Sequence, residues 1–183
     1  RSSDLADPLE QFWSVRQDLE DLALASYFAE VTEATAQEGE AAPELLSLLL
    51  NSLYALDTLK KPRALVKAAF ELKLLCLTGY APMLEGCAVC GAQEPAGARL
   101  HLSQGVLHCA RCRGQVGGGV SMPLSPGALT GARYIVGCSP KRLFSFALPE
   151  EDLRQLGQAT EAFLMTQQER GFRTLDYYKR LPR

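Results

Sequence analysis

Histidine is scarce in this chain, with two among 183 residues, and tryptophan occurs once. A histidine-based nucleophile relay has almost no material, since both imidazoles, His101 and His108, fall inside one cysteine-bearing segment. No apolar run approaches the roughly 18 residues of a membrane span. The longest, Leu45 to Leu56, is broken by Ser47, Asn51 and Ser52. Phosphate-cradling loops are missing as well: Gly117-Gly118-Gly119 lacks the flanking strand, lysine and helix start that such a loop needs. Acidic pairs such as Glu150-Glu151 stand at a helix start, where capping accounts for them. An enzyme is therefore the weakest reading, and neither a membrane nor a small-molecule substrate is expected. The chain opens on Arg1-Ser2-Ser3-Asp4, with no initiator methionine and no signal-peptide pattern. It reads as the continuation of an upstream segment in a cytoplasmic protein, where disulfides rarely persist.

What is present is ordinary for a globular chain: 47% hydrophobic and 22% charged residues. Charge is unevenly placed. Residues 1–86 carry 7 Lys/Arg against 14 Asp/Glu and residues 87–183 carry 12 against 7, so −7 and +5 combine to the overall −2. The basic half permits an anionic partner, and an unevenly charged solvated surface is the plain alternative.

Helix patterns dominate the first eighty residues. Asp7-Pro8-Leu9-Glu10 and Ser14-Val15-Arg16-Gln17 both offer helix starts. From Leu19, the residues Leu22, Ala23, Ser26, Tyr27 and Val31 recur at helical spacing, with an end expected near Glu38-Gly39. A second helix is predicted from Pro43-Glu44 to about Lys60. Its leucines cover much of the circumference, which points to the centre of a bundle. A third runs from about Arg63 to Leu77; later helices span Pro126 to about Val136 and Pro149 to about Arg170. Between Gly86 and Gly119 the helical period is lost, while Arg99-Leu100-His101-Leu102 and Val106-Leu107-His108 suggest a hairpin. The fold class expected is mainly α: a helical bundle with an inserted small four-cysteine zinc module built on a short β-hairpin. The boundaries expected are a connector over 1–13, helical parts over 14–84 and 120–183, and the insertion over 85–119.

Six cysteines are present, four of them patterned: Cys87 and Cys90, then Cys109 and Cys112. Two-residue spacing lets one turn present two thiolates to one ion, and the long gap accommodates a hairpin that returns the second pair. Four thiolates close a tetrahedral shell, so one structural Zn²⁺ is expected. Disulfides, a redox pair, an iron–sulfur cluster, or His101 and His108 as substitute ligands are the competing readings. Cys76 lies on an apolar helical face as a small hydrophobe, and Cys138 has no evident partner. Basic residues gather elsewhere: Lys60, Lys61, Arg63 and Lys67 at a helix junction, Arg111 and Arg113 around the last zinc ligand, then Lys141 and Arg142. Arg170, Arg173, Lys179, Arg180 and Arg183 close the chain beside Phe172, Tyr177 and Tyr178. Phosphate neutralisation with base stacking uses this mixture; solvated helix ends are the plain alternative.

Certain segments resemble the RecO family of bacterial recombination mediators. They are Asp18 to Glu30 (DLEDLALASYFAE), Phe70-Glu71-Leu72-Lys73-Leu74-Leu75, Gly79-Tyr80-Ala81-Pro82, Cys87-Ala88-Val89-Cys90-Gly91, and Gly105 to Cys112. The likeness is good over about 10–136 and looser beyond. It implies a non-enzymatic DNA repair protein that binds single- and double-stranded DNA and anneals strands. It also implies work with RecR to load recombinase on DNA coated by single-strand-binding protein, whose acidic C-terminal tail is an expected partner. The family normally starts with an N-terminal OB-fold domain, and the resemblance implies that this chain is the part that follows it. A zinc-stapled protein-interaction module without DNA binding is the alternative.

Overall fold

The computed structural model describes residues 10–36 and 42–182. Seven α-helices and one small sheet are described: α1 Trp13–Gln17, α2 Leu19–Thr35, α3 Pro43–Asp57, α4 Arg63–Leu77, β1 Arg99–His101, β2 Val106–His108, β3 Ser121–Pro123, α5 Pro126–Gly137, α6 Glu150–Gln167 and α7 Arg173–Arg180. The sheet is antiparallel in the order β2-β1-β3, with Leu100 opposite both Leu107 and Met122. The starts proposed at Asp7 to Leu9 and the end at Glu38-Gly39 lie outside the described residues.

Helix α4, and not α3, occupies the centre. Residues 65–75 are buried without interruption, whereas Leu46, Leu50 and Tyr54 on α3 stay exposed. Ala68 and Ala69 let neighbouring helices approach α4, and Phe70 stacks on Phe28 of α2 at 4.2 Å. Leucine count misled because a helix buried on all sides must also bury polar residues, and α4 does so by pairing them. Glu71, fully buried, accepts from Lys67 Nζ at 2.7 Å, Tyr27 OH at 2.8 Å and Thr160 Oγ1 at 2.7 Å. Lys67 also meets Glu161 at 2.8 Å, and Glu161 meets Lys179 at 2.6 Å. One polar chain thus joins α2, α4, α6 and α7. Lys73, also buried, donates to the carbonyls of Ile135, Val136 and Cys138 at the end of α5.

Local signals explain the remaining elements. The N-cap of α2 is Asp18, whose carboxylate accepts from the amides of Glu20 and Asp21; Ser14 sits inside α1 instead. Ser125 caps α5 through the Ala128 amide. Helix α7, which no local sequence signal announces, is capped by Glu30, which accepts from the amides of Arg173 and Thr174 and from the Thr174 hydroxyl. Strand β3 is likewise unannounced. Leu100, Leu102 and Leu107 belong to the same buried cluster as the helices, so the hairpin does not stand apart from the core. At its turn Gly105 takes φ 65°, and a Cβ there would meet Phe163 Cζ at 3.3 Å.

Replacing Glu71 by alanine leaves Lys67 buried beside an empty acceptor site and is expected to cost about 3–5 kcal/mol, against about 1 kcal/mol for Tyr27→Phe. Urea denaturation checks both; equal costs would contradict the central role of the carboxylate. Burial pushes the Glu161 carboxyl up, but Lys67 and Lys179 outweigh it and hold it below its ordinary 4.5. Its contribution is then complete above about pH 4.5 and lost as pH falls through the lower native value. Stability should decline on acidification in that window, and less steeply in Glu161→Gln.

Candidate metal centre and basic surface

Cys87, Cys90, Cys109 and Cys112 come together, with all four Sγ atoms within 4.8 Å of one another. The first pair sits on a tight turn closed by the Gly91 amide on the Cys87 carbonyl and the Cys87 amide on Ala92, both at 2.8 Å. The second pair follows β2 directly, where a 3₁₀ turn over Ala110–Gln115 begins. The amide of Ala88 donates to Leu107 and that of Ala110 to Ala96, so the two turns are laced to the hairpin. Tetrahedral thiolates about 2.3 Å from a zinc-sized ion stand roughly 3.8 Å apart, close to the 4.0 Å between Cys90 Sγ and Cys109 Sγ.

The chemistry of the donors fits as well. Burial pushes the Cys87 thiol up, but the amides of Cys90, Cys109 and Val89 outweigh it and lower it to about 6. The bond from its neighbour Cys109, together with burial, holds Cys112 up to about 12. Four crowded sulfurs resist ionising together, and a divalent cation removes that resistance. Three of the four are buried and Cys90 is exposed. The four residues therefore form a cluster able to hold a metal ion. His101 and His108 lie on β1 and β2 and serve other bonds: the amide of Gln104 approaches His101 Nδ1 at 3.4 Å, and His108 Nε2 lies 2.9 Å from Ser121 Oγ. Cys76 and Cys138 are half-buried and outside the cluster.

The basic residues divide into two groups. Arg63 is enclosed by Asp18, Glu20 and Asp21 at 2.8, 2.6 and 2.5 Å, which ties the start of α4 to the cap of α2. Lys67 is buried between Glu71 and Glu161, and Lys179 rests on Glu161. These three charges are already matched. Among the described residues Lys60, Lys61, Arg111, Arg113, Lys141, Arg142, Arg173 and Arg180 make no ion pair, and all except half-buried Lys61 are exposed. Arg111 and Arg113 ride on the turn that carries Cys112. The sequence did not reveal Arg133, which fastens the first cysteine turn to α5 by donating to the Leu84 and Gln93 carbonyls and pairing with Glu94 at 2.6 Å.

Against known proteins, the family model described as recombination protein O C terminal matches residues 16–176. The chain belongs to the RecO family. A DNA repair protein RecO of Acetivibrio thermocellus is 30% identical over 177 residues, covering 97% of this chain and 70% of that protein. The Rubrobacter xylanophilus RecO is 34% identical over 155 residues, covering 84% and 62%. That of Desulforudis audaxviator is 43% identical over 108 residues, covering 59% and 43%. For the last two, this RecO-family chain spans less than two thirds of the relative. Among the described residues no helix is long and apolar enough to cross a membrane.

Replacing Cys112 with serine should lower the bound metal below one ion per chain and reduce the melting midpoint by about 5–10 °C, since a loss of about 3 kcal/mol is spread over a chain of this size. Metal analysis and thermal denaturation test this. A variant that keeps its midpoint while losing its metal would contradict a structural role.

Proposed function

We propose that this chain is the zinc-stapled helical part of a non-enzymatic DNA repair mediator, and that it contacts nucleic acid through phosphates. The observation that carries the reading is the family match together with a set of exposed cations free of carboxylate partners. The ion is proposed as one structural Zn²⁺, because four thiolates fill its shell and leave no position for substrate or activated water. Its role is to hold Arg111 and Arg113 on a fixed turn. Annealing of strands, binding of both single- and double-stranded DNA, cooperation with RecR and loading of recombinase are proposed from family membership. The acidic tail of single-strand-binding protein is proposed as a protein partner. The exposed stripe Leu46, Leu50 and Tyr54 on α3 favours protein docking as a second role of the same domain.

Non-specific phosphate contact has a quantitative mark: log K falls with log salt by about 0.7 per phosphate neutralised on a single strand. Reversing Arg111 and Arg113 to glutamate is expected to flatten that slope by more than one unit, measured by fluorescence anisotropy on an oligothymidylate. Arg63→Ala should cost stability and leave the slope alone. A slope indifferent to Arg111, Arg113, Lys141 and Arg142 would overturn the electrostatic reading.

A further inference from the structure

Two buried side-chain nitrogens lack any hydrogen-bond partner among the described residues: Arg99 Nε and His101 Nε2. They stand two residues apart on β1, so they belong to the same face of the sheet, opposite Leu100 and its core contacts. Both are donors. The Gln104 amide approaches His101 Nδ1, which leaves the ring hydrogen on Nε2. Arg99 gives one bond, from Nη2 to the Ser121 carbonyl at 2.5 Å, and meets no carboxylate. Every other guanidinium of comparable burial is matched: Arg63 has three carboxylates and Arg133 has Glu94 and three carbonyls. A half-buried cation with idle donors is costly unless an acceptor arrives from outside.

Arg99 lines a cleft of about 400 Å³ between residues 94–98, which lead into β1, the end of β3, the start of α5 and Gln155 of α6. That volume lies within the range of small-ligand sites. The only carboxylate lining it is Glu94, already bound to Arg133. Pro95 and Pro123 supply apolar walls. We infer that this cleft receives one phosphate of a single-stranded nucleic-acid backbone, with the Arg99 guanidinium as its anchor and the proline walls against the adjoining sugar. The inference rests on the phosphate-contact reading above and adds a seat that is recessed, unlike the exposed arginines. A planar fork of donors suits a phosphate, and a recess suits one strand more than a duplex.

Arg99→Gln removes the charge. It is expected to weaken oligothymidylate binding by the 183-residue chain about tenfold and to flatten the salt slope by about 0.7, at unchanged metal content. Ala96→Phe, at an exposed position on the cleft, should fill the mouth with the guanidinium in place and reproduce the loss, even if Arg99→Gln folds poorly. Unchanged affinity in both variants overturns the proposal. If the Arg111 and Arg113 reversal still flattens the slope in that case, the wider DNA reading stands and only the cleft falls. A wild-type chain with no salt-dependent binding removes both. Thermal shifts separate the sources of phosphate: a 5′-phosphorylated thymidine dinucleotide should stabilise wild type and not Arg99→Gln. Equal stabilisation by inorganic phosphate alone would assign the cleft to a free anion and overturn the nucleic-acid assignment.

Discussion

A carboxylate with no exposure to water sets the geometry of this molecule. Glu71 lies at the centre of α4, and an ion there survives only if its lone pairs are filled. Tyr27, Lys67 and Thr160 fill them from α2, from its own helix and from α6. Lys67 then requires Glu161, which in turn holds Lys179. Apolar contacts alone are non-directional. The polar chain tolerates few rotations of these helices about one another, because each donor must reach its acceptor.

That fixed bundle is what the cysteine turns are built on. The hairpin places Leu100 and Leu107 in the helical core, Phe163 of α6 sits against Gly105, and Gln167 of α6 donates to the Leu102 carbonyl at 2.6 Å. Arg133 holds the first turn from the side of α5. A metal ion held by the four cysteines would thus not be the sole source of order in this region. It would close the outer end of a sheet whose inner face is already held. The proposed phosphate contacts, Arg99 within the cleft and Arg111 and Arg113 on the turn, sit around that outer end.

Much of this was legible in the residues. Pro62, Gly79 and Pro82 bracket α4 closely, Ser125-Pro126 opens α5, and the two Cys-x-x-Cys turns with a hairpin between them announced the thiol cluster. Local spacing determines each of these. What escaped was fixed by distant partners. Lys67 reads as a surface charge until Glu161 arrives from 94 positions away, and Arg63 until Asp21 arrives from 42. Helix α7 depends on a cap from Glu30 in α2, and β3 is too short to show an alternation. The leucine-rich α3 drew attention from α4 because leucine number records how much could be buried, not what is.

On the proposed reading, one metal-closed sheet, seated on the helical core, presents the cations that meet nucleic acid. The most direct test is the salt dependence of single-strand binding by the same chain before and after metal removal, with helix content followed by circular dichroism. The helical signal should largely persist while the slope of log K against log salt becomes shallower by about two units, as roughly three phosphate contacts are lost. An unchanged slope in the metal-free chain would contradict that reading.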